Sequence, residues 1–90
     1  MDSKYVEIKN VFKKFSPDEV IGSVAKNSKG YVVYLTRSNV KSGDWIDDNL
    51  YFIDDKINPK SIVPFSPSDN RELYREGLKN IIYMKPGLLD

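Results

Sequence analysis

The stretch Val20-Ile21-Gly22-Ser23-Val24-Ala25-Lys26-Asn27-Ser28-Lys29-Gly30-Tyr31-Val32-Val33-Tyr34-Leu35-Thr36 admits two readings, and the choice between them sets the fold class. Ser16-Pro17-Asp18-Glu19, just before it, has the form of a capping box. That would open a second helix carrying Val20, Ile21, Val24 and Ala25. The stretch itself argues otherwise. Gly22 interrupts it, its valines and isoleucine are β-branched, and Asn27-Ser28-Lys29-Gly30 is a turn signal. Tyr31 to Thr36 then forms the strongest strand pattern in the chain. The expected structure is an antiparallel hairpin, residues 19–26 against 30–37.

Upstream, residues 3–15 read as an amphipathic helix. Tyr5, Ile8, Val11, Phe12 and Phe15 recur at three and four, and Lys4, Glu7, Lys9, Lys13 and Lys14 take the other face. Lys13 and Lys14 suit the negative end of the helix dipole, and Pro17 stops the helix.

Downstream, Arg37 to Gly43 reads as a loop and Asn49 to Asp54 as a third strand. Asp55 to Lys60 is a turn initiated by Asn58-Pro59. Ser61 to Phe65 is a fourth strand, placed at a sheet edge or strand end because Pro64 lacks a ladder donor. Ser66 as N-cap, Pro67 at N1 and Asp69 at N3 open a second helix with a narrow Leu73, Tyr74, Leu78 stripe. Gly77 weakens it and Asn80 ends it. Ile81 to Met84 is expected as an edge strand or core-covering segment. The sum is an α+β fold: a four-stranded antiparallel meander with an N-terminal and a C-terminal helix packed on one face, all in one domain over residues 1–90.

The 90 residues include no cysteine and no histidine. The first excludes a disulfide framework and thiolate chemistry, and favours a reducing cytosol for so small a domain. The second removes the commonest general base and metal ligand. The polar start Met1-Asp2-Ser3-Lys4 leads into no signal-type region, and the longest apolar run, Tyr31 to Leu35, is far too short to span a bilayer. The expectation is a complete cytosolic protein without a membrane anchor.

Net charge is +1, unevenly distributed. Residues 1–43 carry eight Lys/Arg against four Asp/Glu, and residues 44–70 carry two against six. The acidic half centres on Gly43-Asp44-Trp45-Ile46-Asp47-Asp48-Asn49-Leu50-Tyr51-Phe52-Ile53-Asp54-Asp55-Lys56, which also holds the only tryptophan. Asp44, Asp47 and Asp48 form the better trio for a hard cation, but no EF-hand spacing is present. The strand between them and Asp54/Asp55 separates the two acidic groups by about 20 Å. Turn chemistry accounts for most of these aspartates, so no metal or cofactor is expected. Ser28-Lys29, Lys41-Ser42 and Lys60-Ser61 are sequence neighbours only, and adjacency in a turn positions no base.

Asn27 to Tyr34 resembles the RNA-recognition motif at Lys29, Gly30 and Tyr31 alone; Val32, Val33 and Thr36 stand where that motif has a small residue and two aromatics. The resemblance implies single-stranded nucleic acid as a partner for the basic N-terminal half. Arg71, Arg75 and Lys79 share one helix face, with Glu72 and Glu76 beside them to make a solvated, ion-paired surface. Six tyrosines, one tryptophan and four phenylalanines exceed what so small a core absorbs. A surplus of aromatics is the mark of a contact surface. The first expectation is therefore a non-enzymatic protein-interaction or inhibitor-like module. It would use Asp44, Trp45, Asp47, Asp48 and Tyr51 against a protein with a basic surface. A second copy of the chain, a nucleic acid, or a carboxylate-based metal site or enzyme are the alternatives.

Overall fold

The computed structural model describes residues 3–37 and 49–85. Helix α1 spans Ser3–Phe15, and strands β1 (Glu19–Lys26) and β2 (Gly30–Arg37) form the expected hairpin. Strand β3 is Asn49–Asp54, β4 is Val63–Pro64, helix α2 is Arg71–Leu78 and β5 is Ile81–Met84.

The hairpin forms because its turn is built from its own side chain. The Asn27 Oδ1 accepts from the Lys29 and Gly30 backbone N–H groups, each at 2.9 Å, and the Asn27 N–H donates to the Gly30 carbonyl at 2.9 Å. Gly30 is required by proximity. A Cβ there would run into the Ile53 carbonyl oxygen and lie 2.9 Å from Asp54 Cα. Gly22, which argued against a helix here, sits where the β1–β2 register shifts between Ile21 and Ser23, a bulge that glycine accommodates.

All pairings are antiparallel, in the order β4-β3-β2-β1-β5. The four-stranded meander is thus present, but the sheet has five strands. Ile81–Met84 adds beside β1, with Val24 opposite Tyr83 and the Lys85 N–H donating to the Gly22 carbonyl at 2.6 Å. Strand β4 is shorter than the expected 61–65, because a 3-10 turn takes Pro59–Ser61. Pro64 does lie on an edge strand.

The helices lie on opposite faces, where a single face was expected. Paired residues of an antiparallel ladder share a face. Val24, Val33, Tyr51 and Tyr83 therefore define one side, and Ala25, Val32, Phe52 and Ile81 the other. On the first side α1 stacks Tyr5 on Tyr83 with ring centroids 3.9 Å apart, and sets Phe12 6.4 Å from the Tyr51 ring. On the second side a Cβ at Gly77 of α2 would be 3.2 Å from the Ala25 Cβ. The physical reason is the return path. The chain leaves the sheet at β4 and must cross it to reach β1, and α1 already covers the first side.

The α1 side holds the core: Ile8, Phe12, Ile21, Val24, Val33, Leu35 and Ile53 are all buried. The Ser66 N-cap expectation is also corrected. Its hydroxyl pairs with the Ser68 hydroxyl at 3.0 Å, Pro67–Asp69 forms a 3-10 turn, and α2 starts only at Arg71. Among the described residues, no helix is long and apolar enough to cross a membrane.

Candidate functional site

Of the expected contact residues, Tyr51 is described; Asp44, Trp45, Asp47 and Asp48 lie outside the described residues. Tyr51 is half-buried under the C-terminal end of α1. Its ring is 5.3 Å from that of Phe15, edge on, and Phe15 in turn meets Phe12 at 5.8 Å. Helix α1 buries Tyr5, Ile8 and Phe12. Phe15 continues the same stripe, yet it stays 46% exposed. A cleft of about 310 Å³ opens beside it, lined by Asn10, Val11, Lys14, Phe15, Pro59 and Ile62.

The other flank of α1 carries a second groove, of about 380 Å³, reaching from Lys9 and Lys13 to Glu19 on β1 and Lys85 beyond β5. The Glu19 Oε2 is shielded from solvent and has no hydrogen-bond partner. In the wall of this groove, burial pushes the Tyr5 phenol up to about 12, and its hydrogen bond and proximity to Tyr83 add to the shift. A smaller cleft of about 90 Å³ lies on the opposite side of the sheet, where Leu78 and Ile81 line it and remain exposed.

Asp54, Asn58 and Ser61 are absorbed by the turn after β3. The Asp54 Oδ1 accepts from the Asn58 N–H at 2.9 Å, and the Asn58 Oδ1 from the Lys60 N–H at 3.0 Å. The Ser61 hydroxyl accepts from the Asp54 N–H at 3.0 Å and donates to the Asn58 carbonyl at 2.7 Å, so it is a turn clasp. This turn holds Ile57 at φ 58°, a conformation rare for a β-branched residue. Among the described residues, no group of three or more Asp or Glu could hold a metal ion.

Tyr31, the ring that the RNA-recognition resemblance would stack on a base, is 4% exposed and packed in the core beneath α1. Glu76, expected to pair along α2, accepts a hydrogen bond from the Ser28 backbone N–H and ties α2 to the hairpin turn. Arg71, Arg75 and Lys79 remain exposed.

Sequence reasoning missed Phe15 and the second groove as sites. For Phe15 a signal existed. It ends the helical stripe directly before Ser16-Pro17, where the helix stops and the sheet beneath it can run out. For Lys9, Lys13, Glu19 and Lys85 there was none, because three elements far apart in sequence bring them together. Comparison with protein-family models, curated proteins and solved structures finds no match for this chain.

Proposed function

We propose that this chain is a non-enzymatic protein-interaction module whose contact surface is built around the C-terminal half of α1. The observation that carries this reading is Phe15, a large ring 46% exposed at the lip of an apolar cleft and braced edge-on by Tyr51. Rigid aromatic anchors beside a cavity are the usual energetic centres of protein contacts. Tyr51 then acts from below, as a brace for Phe15, and the acidic residues 44–48 belong to the same end of β3 in sequence. The absence of cysteine suits a module that works in a reducing compartment.

The test is site-specific photocrosslinking in cells from position 10, with position 75 on the exposed face of α2 as control. A single protein captured from position 10, and lost on Phe15→Ala, supports the reading. Capture that survives Phe15→Ala, or is equal from position 75, overturns it. Phe15→Ala removes two edge-on ring contacts and should cost about 1 kcal/mol. A melting temperature lowered by roughly 4–8 °C would leave the domain folded for this comparison.

A further inference from the structure

The second groove beside α1 differs from the Phe15 cleft in charge and in volume. Its floor is apolar, made by the buried Phe12, Ile21 and Leu35. Three lysines stand around it: Lys9 and Lys13, one turn apart and exposed on α1, and the half-buried Lys85. Glu19 is the single acidic residue of the lining, and its Oε2 is withdrawn from solvent with no donor to satisfy it. A buried acceptor without a partner costs free energy.

We propose that this groove docks an acidic peptide segment of another protein. Carboxylates of the segment meet Lys9, Lys13 and Lys85, and an aliphatic side chain fills the Phe12–Ile21–Leu35 floor. The proposal deepens the interaction-module reading and rests on it. It gives the partner the opposite charge to the one that the acidic 44–48 region called for.

The details favour a peptide over a polynucleotide. Single-stranded nucleic acid needs free aromatic faces on which bases stack. Here Tyr5 and Tyr83 stack on each other, 3.9 Å apart and 15° from parallel, so their facing sides are already filled. The volume, about 380 Å³, lies in the range of sites that enclose a few side chains.

The test is an NMR titration of the full chain at low ionic strength with three probes. They are a synthetic octapeptide alternating glutamate and leucine, the same peptide with lysine in place of glutamate, and an oligothymidylate of equal charge. The acidic peptide should shift the amides of Lys9, Lys13 and Lys85, and the lysine peptide should not. Lys9→Glu with Lys13→Glu should weaken binding about tenfold or more, while Lys79→Glu, exposed at the end of α2 on the other side of the sheet, leaves it unchanged.

Shifts that map elsewhere, equal binding of the lysine peptide, or an oligothymidylate that binds as tightly as the peptide would each overturn the proposal. If Phe15-dependent crosslinking persists in that event, the module reading stands and only the partner's chemistry falls. If both fail, the module reading falls as well.

Discussion

Single residues decide how tightly this small sheet can close. Gly30 is the clearest case, because the atoms in its way are backbone. Gly30→Ala would press a methyl group into the Ile53 carbonyl and the Asp54 Cα, and β2 and β3 would have to part at that register. The expected cost is about 2–3 kcal/mol, read by denaturant unfolding. At Gly22 the same substitution meets the Tyr34 ring, 2.6 Å away at Cδ1, and a ring can swing aside. A smaller loss is expected there, and equal losses at the two glycines would contradict this account.

Tyr5 sets a different kind of limit. Its phenol is raised in the folded chain, from 10.0 to about 12, by burial first and by Tyr83 second. The folded state therefore keeps a proton that the unfolded state has already released between those values, and stability must fall across that window. The contribution is whole below pH 10.0 and is lost as pH rises through about 12. A melting curve series should show the alkaline decline become shallower in Tyr5→Phe; an unchanged slope would assign it to other groups.

At the scale of elements, α1 and α2 hold the sheet by different means. Helix α1 inserts large side chains, Ile8 and Phe12 being almost fully buried. Helix α2 has eight residues and buries Gly77, so it approaches by omission of a side chain. A Cβ at that position would be 3.2 Å from the Ala25 Cβ, tight but not impossible. Gly77→Ala should be close to neutral, because the gain in helix propensity of roughly 1 kcal/mol offsets the crowding. Gly77→Leu should lift α2 and lower stability by about 2 kcal/mol or more. Similar unfolding midpoints for the two variants would mean that α2 does not bear on Ala25.

At the scale of the molecule, helix α1 and strand β5 are joined. Strand β5 closes the β1 edge, and its Tyr83 stacks on Tyr5 of the first helix. Ending the chain after Asn80 removes that strand and uncovers one side of Tyr5. It leaves β1, with Val24 and Ala25, as an apolar edge. Such edges recruit other chains. The expected result is loss of a cooperative thermal transition together with concentration-dependent aggregation. A truncated chain that melts cooperatively as a monomer would show β5 to be dispensable.

By itself the sequence determined the identity and approximate bounds of the elements. Three-and-four spacing read out α1. The Asn27–Gly30 turn chemistry resolved the hairpin against the capping-box alternative, and the Asn58-Pro59 signal marked the tight turn after β3. These signals are legible because they act over a few residues, through backbone sterics and local hydrogen bonds. Tertiary structure alone decided the strand order beyond the meander, the side taken by α2, and the burial of Tyr31. It also decided the half-exposure of Phe15 and the meeting of Lys9, Lys13, Lys85 and Glu19 around one groove. Those outcomes depend on which surface is already covered when the chain returns across the sheet, a competition among distant segments that no local pattern encodes.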